Sequence, residues 1–199
     1  MTYADSMSAL RAKRNDLLAL HGEIRELQKK VEPQPVEDYV FEGWSGPVRL
    51  SELFGDKRDL FVIHNMGTTC RYCTMWADGF NGVYDHLADR AAFALASPNT
   101  TDVQKQFARS RGWRFPMVSH AGSNFTRDMG YRLEKGDEDG EDRSRWVPGV
   151  SVFQKRADGS IVRVSDTDLG PHDDFCSVWH FLDMLPEGDA GWEPKFRYG

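Results

Sequence analysis

Two cysteines separated by two residues, Cys70-Arg71-Tyr72-Cys73, are the side chains in this sequence best suited to chemistry. An apolar run, Leu60-Phe61-Val62-Ile63, leads through Met66-Gly67-Thr68-Thr69 into the first cysteine, and a helical pattern follows. A sulfur at the first turn of a helix sits among backbone N–H groups without helical partners and at the positive end of the helix dipole. Both favour the thiolate, and cysteines so placed have pKa values of roughly 3.5–7.5 instead of about 8.5. Arg71 adds a neighbouring cation. Cys73 lies three residues on, on the same helical face, where it can attack a mixed disulfide at Cys70 and release the partner. The spacing therefore predicts Cys70 as nucleophile and Cys73 as resolving residue, with a protein or small-molecule disulfide as substrate and no cofactor.

Two other uses of paired cysteines compete with this one. They can be small apolar side chains at adjacent core positions, or half of a tetrahedral zinc site. For zinc the sequence offers no second Cys-x-x-Cys and no closely spaced histidine pair, so His64 and Cys176 would have to complete the set, and no metal is assigned. The strand before, the helix after and a total of only three cysteines favour redox chemistry. Cys176 is expected to be a buried small hydrophobe. His64, six residues before Cys70, is a candidate proton shuttle or thiolate partner, against the plainer expectation of a histidine packed at a strand end. Tyr72 and Trp76 are candidates for walls of the site, although aromatics at helical spacing are commonly core.

The elements that must position the pair follow from periodicity. Leu10, Leu17, Ile24 and Val31 recur every seven residues with Leu20 and Leu27 between them, which predicts an amphipathic helix over Ala4 to Val31. It either packs across its own domain or pairs as a short coiled coil in a homodimer. Glu32-Pro33-Gln34-Pro35 stops it and acts as a stiff connector. Strands are expected over Asp38 to Phe41, Val48 to Leu50, Leu60 to Ile63 and Ala91 to Ala96, with a short extended piece at Trp113 to Val118. A hairpin is expected from Gly149 to Lys155 and Ile161 to Val164 around Ala157-Asp158-Gly159. Helices are expected over Tyr72 to Arg90, interrupted at Gly79 and Gly82, over Thr101 to Arg111, and over Asp173 to Leu185. Asp137 to Asp142 reads as a solvated acidic loop without the spacing of a calcium site.

Composition narrows the function classes. The chain has 199 residues, 40% hydrophobic and 28% charged, with a net charge of −6 and no basic stripe interleaved with aromatics, so no nucleic-acid partner is expected. Charged residues from Arg11 to Glu23 break any apolar run near the N-terminus, so neither a signal peptide nor a membrane span is expected there, and the cytoplasm is the expected compartment. One domain over 36–188 is expected, with a helical extension and linker over 1–35 and a tail over 189–199.

Three stretches carry a family likeness: Leu50-Ser51-Glu52-Leu53-Phe54, the helix after the cysteines as Met75-Trp76-Ala77-Asp78-Gly79-Phe80, and Gly112-Trp113-Arg114-Phe115-Pro116. From the N-terminal helix to Leu185 the chain resembles the bacterial domain-of-unknown-function 899 family, which is thioredoxin-like and distantly similar to peroxiredoxins and thiol-disulfide oxidoreductases. The resemblance implies an α/β thioredoxin-like fold, a central mixed sheet flanked by helices with an amphipathic N-terminal helix appended. It places the dithiol at the start of the first core helix and implies nothing firm about substrate. It also implies a cis-proline opposite the dithiol, for which Pro148 is the candidate ahead of Pro116, with Val147 offering its backbone to an extended partner peptide. Asp78 would be a buried carboxylate base or a cap at the Gly79 break. Thr69 stands where thioredoxin has a tryptophan, so redox poise does not carry over. A thiol peroxidase, or a binding module with structural cysteines, are the alternatives to disulfide exchange.

Overall fold

The computed structural model describes residues 2–133 and 145–199, so the acidic loop expected at Asp137 to Asp142 lies outside the described residues. In chain order the elements are α1 (Tyr3–Gln28), β1 (Gln34–Val36), β2 (Val40–Gly43), β3 (Gly46–Arg49), β4 (Asp59–His64), α2 (Arg71–Arg90), β5 (Ala92–Ser97), α3 (Thr101–Arg111), β6 (Met117–Ser119), α4 (Phe125–Asp128), β7 (Arg132–Leu133), β8 (Arg145–Trp146), β9 (Gly149–Lys155), β10 (Ile161–Asp168) and α5 (Ser177–Leu182). They form two compact units, one ending at Pro33 and the other beginning at Gln34.

The first unit is α1. Thr2 caps it in a capping box: the Asp5 N–H donates to Thr2 Oγ1 at 3.2 Å and the Thr2 N–H donates to Asp5 Oδ2 at 3.0 Å, satisfying two end donors. Leu10, Leu17, Leu20, Ile24 and Leu27 are exposed and no residue of α1 is buried. The expected connector is corrected, because Gln34, Pro35 and Val36 form edge strand β1, antiparallel to β10. An edge strand tolerates proline because the missing N–H has no second neighbour to bond.

The second unit is built on an eight-stranded sheet of order β1-β10-β9-β4-β5-β6-β2-β3. β4 runs parallel to β5 and antiparallel to β9, and β5 runs parallel to β6, so the sheet is mixed and β4 is central. Successive side chains of a strand face opposite sides. Leu60 and Val62 enter one buried cluster with Phe41, Leu50, Phe125, Tyr131 and Phe153, whereas Ile63 enters the other with Cys73, Trp76, Phe93, Phe115 and Trp179. This alternation decides which loop-end residues can face the cysteines.

The hairpin of β9 and β10 forms as expected, with Gly159 at φ 86° in its turn, and β10 continues past Val164 to Asp168 beyond a bulge between Arg163 and Ser165. Two helices depart from expectation. α2 passes through Gly79 and Gly82 without a break, its buried face of Cys73, Trp76, Ala77 and Phe80 holding the turns together. The last helix is confined to Ser177–Leu182, because Asp173 bonds locally instead, accepting from the Gly170 and Phe175 N–H groups at 3.0 and 2.8 Å. Among the described residues no helix is long and apolar enough to cross a membrane.

Candidate active site

Cys70 is the N-cap of α2, extended at φ −89° and ψ 109°, and Cys73 is in its first turn. The Cys73 N–H donates to Cys70 Sγ at 3.0 Å, which gives one of the orphan amide groups of the helix end a sulfur acceptor. Cys70 is half-buried and Cys73 is 2% exposed. The Cys70 thiol is drawn down to about 7, first by the hydrogen bond with the Cys73 side chain and further by the backbone N–H groups of Cys73 and Tyr72, against the opposing effect of burial. The same interaction pushes the Cys73 thiol far above the ordinary range, with burial and the charge on Cys70 adding to it. One thiol is thus poised to ionise at neutral pH while its neighbour keeps its proton.

The cation expected beside the thiolate is placed differently. Arg71 Nη2 pairs with Glu193 at 2.9 Å in the C-terminal segment, so the lowered thiol depends on Cys73 and backbone donors. Tyr72 is half-buried, with its ring 6.2 Å from that of Trp76 and 6.2 Å from that of Trp179. Trp179 in turn meets Trp192 edge-on at 6.1 Å, so the aromatic wall of the site is completed from the C-terminal part of the chain, which periodicity alone did not reveal.

His64 is not brought to the cysteines. It follows Leu60 and Val62 by alternation and is 2% exposed, with Nε2 2.9 Å from Ser151 Oγ and its ring stacked 3.9 Å from Tyr131 and 5.3 Å from Phe125. Desolvation holds its pKa well below the usual 6.5, and the ring is neutral at physiological pH. The proton-shuttle role is corrected to that of a packed histidine. Asp78 is also elsewhere: it accepts from Trp113 Nε1 at 2.8 Å and from Arg111 Nε at 3.1 Å, tying α2 to α3 rather than serving as a base at the dithiol.

Val147 and Pro148 do not form the expected peptide ledge. The described residues contain no cis peptide bond, so Pro148 is trans. The Val147 N–H donates to Tyr131 O at 2.9 Å, and Pro148 O accepts from the Leu169 N–H at 3.0 Å. These groups are consumed by the protein's own backbone, which leaves no such pair for a partner strand.

Cys176 is 4% exposed in the same apolar cluster as Cys73, and burial pushes its thiol up. His64 and Cys176 therefore lie on opposite faces of the sheet and cannot close one metal site with the dithiol; among the described residues no three His, Cys, Asp or Glu side chains are grouped to hold a metal ion. A cavity of about 710 Å³ runs beside α2 and α5, lined by Met75, Phe80, Val83, Phe175, Val178 and Trp192, but neither Cys70 nor Cys73 lines it.

With this geometry in hand, sequence comparison is decisive about family. A model described as bacterial protein of unknown function (DUF899) matches residues 2–195. The chain belongs to the DUF899 family. No curated protein matches it. Among the solved structures that the DUF899 chain is similar to are several peroxiredoxins. Reduced Prx3 from Vibrio vulnificus is 15% identical, with TM-score 0.56 over 71% of this chain and 88% of that one. Peroxidoxin BcpB from Mycobacterium tuberculosis is 20% identical, with TM-score 0.54 over 69% and 85%. A cysteine-to-serine mutant of peroxiredoxin Q from Xanthomonas campestris is 16% identical, with TM-score 0.54 over 65% and 79%. The DUF899 chain thus has the thioredoxin-like fold of the peroxiredoxins, as the family resemblance implied.

Proposed function

We propose that the protein is a thiol-based redox enzyme in which Cys70 attacks the substrate and Cys73 resolves the product. The observation that carries this reading is the Cys70 sulfur at the start of α2, half-exposed, with the Cys73 N–H aimed at it from 3.0 Å. In exchange with a disulfide, the Cys70 thiolate forms one new S–S bond as the substrate's S–S bond breaks and a thiolate departs. Cys73 then loses its proton and attacks the Cys70 sulfur, releasing the second thiolate and leaving a Cys70–Cys73 disulfide; the substrate has gained two electrons. Once Cys70 is bonded to substrate it bears no charge, so the largest cause that raises the Cys73 thiol, its hydrogen bond to the Cys70 sulfur, and the charge on Cys70 are both removed at the step where the Cys73 thiolate is needed, and burial alone still opposes it.

A second reading, thiol peroxidase, is favoured by the occupied backbone groups of Val147 and Pro148, which disfavour an extended peptide substrate, and by the likeness to peroxiredoxins. There the thiolate would take one oxygen of a hydroperoxide, the O–O bond breaking to release an alcohol or water, and Cys73 would displace water from the resulting sulfenic acid. Titrating the protein against dithiothreitol buffers, with thiols read by mass after alkylation, tests the shared core: a single two-electron transition joining Cys70 and Cys73 is expected, and absence of that disulfide at every poise would overturn both readings. Consumption of hydrogen peroxide or cumene hydroperoxide at catalytic protein concentration, with dithiothreitol as reductant, separates the peroxidase from the exchange enzyme.

A further inference from the structure

The loop between β4 and α2 is held by two carboxamides that the chemistry above leaves unused. Asn65 follows β4 and extends its ladder through an N–H bond to Ala96 O at 2.9 Å. It is 8% exposed, and its side chain reaches both ends of the loop: Oδ1 accepts from the Gly67 N–H at 2.7 Å and Nδ2 donates to Cys73 O at a long 3.5 Å. Asn99, in the turn after β5, accepts the next amide, the Thr68 N–H, at 3.0 Å. Gly67 sits at φ 101°, and a Cβ there would lie 2.7 Å from Asn99 Oδ1, so the loop can approach Asn99 this closely only with glycine at 67. Gly67 O then accepts the Cys70 N–H at 3.1 Å, and Cys70 O accepts from Thr74 Oγ1 at 2.9 Å.

These bonds form a chain from the end of β4 and the end of β5 to the nucleophile. Burying a carboxamide costs free energy unless it is bonded, and packing alone at position 65 would be better served by an apolar side chain. We propose that Asn65 and Asn99 are positioning residues, which hold the Met66–Thr69 loop so that the Cys70 sulfur caps the first turn of α2. The inference rests on the redox reading of Cys70. Hydrogen bonds weaken steeply with misalignment, so a loop released from these carboxamides no longer keeps the sulfur on the Cys73 N–H, and the thiolate loses its stabilisation.

The test is the pH dependence of Cys70 alkylation by iodoacetamide, followed by mass, in the wild type, Asn99→Ala and Asn65→Ala, with thermal melting recorded for each. Asn99 is only partly buried, so its truncation keeps the test available should Asn65→Ala fail to fold. Each variant is expected to move the alkylation midpoint upward by about half a unit or more towards that of an ordinary thiol, slowing alkylation at pH 6 by about threefold or more. A midpoint unchanged in Asn99→Ala, or in a folded Asn65→Ala, overturns the positioning role even if melting falls, because packing alone would affect stability and not the thiol. A wild-type midpoint already near that of a free cysteine overturns the redox reading itself, and this inference with it, before any variant is compared.

Discussion

The amide of Cys73 points at the sulfur of Cys70 across 3.0 Å, so the residue assigned to resolve the disulfide also supports the nucleophile through its backbone. Its side chain is the first cause of the lowered Cys70 thiol and its N–H group a further one. The two contributions separate experimentally, because substitution removes only the side chain.

Cys73→Ala is expected to raise the pH midpoint of Cys70 alkylation above that of the wild type, yet to leave it below about 8.5, since the backbone donors persist. A midpoint that stays put would mean that the side-chain contact contributes nothing. The same variant should accumulate a stable mixed disulfide with glutathione at Cys70, whereas Cys70→Ala should accumulate far less at Cys73, whose sulfur is buried at 2% exposure.

Arg71→Gln should leave that midpoint within about 0.2 units of wild type, because the guanidinium is paired with Glu193 and is not among the causes that lower Cys70. A clear upward shift would show that Arg71 turns towards the thiolate in solution.

Acid should weaken the fold through two histidines. His64 and His120 are buried, and desolvation lowers both, His120 to about 4, whereas in the unfolded chain each titrates near 6.5. Below about pH 6.5 the unfolded state therefore binds protons that the folded state refuses, and stability falls as pH falls, by about 2 kcal/mol per histidine between pH 7 and pH 5. Thermal or urea unfolding across that range checks it; a flat profile would place both rings in contact with water.

Gly149→Ala should destabilise the protein by about 3 kcal/mol, since a Cβ there would overlap the Tyr131 ring and lie 2.9 Å from Thr167 O in a close-packed interior. Urea midpoints report the loss, and a variant as stable as wild type would mean that Tyr131 is free to move aside.

Asp78→Asn is expected to lower stability by about 1–2 kcal/mol through weakened bonds to Arg111 and Trp113, while Cys70–Cys73 disulfide formation proceeds at the wild-type rate. Loss of disulfide formation in a folded variant would restore Asp78 as a base.

What the sequence determined by itself is local. The core run of strands and helices from β4 through α2 and β5 to α3, the hairpin at Asp158-Gly159 and the placement of Cys70 at a helix start are encoded in runs of a few residues, because turn chemistry, capping and apolar periodicity act over short spans. The tertiary structure decided which side chains share a face. His64 stands six residues from Cys70 in the chain, yet strand alternation sends it to the opposite side of the sheet, between Tyr131 and Phe125. Arg71 adjoins the nucleophile in sequence but finds its partner at Glu193, and Asp78 finds Arg111 and Trp113. Asn99, far along the chain, reaches the loop before the dithiol because β5 lies parallel to β4 and ends beside it. Charges and hydrogen-bond donors select partners by distance in space, and only the sheet order brings such partners within reach.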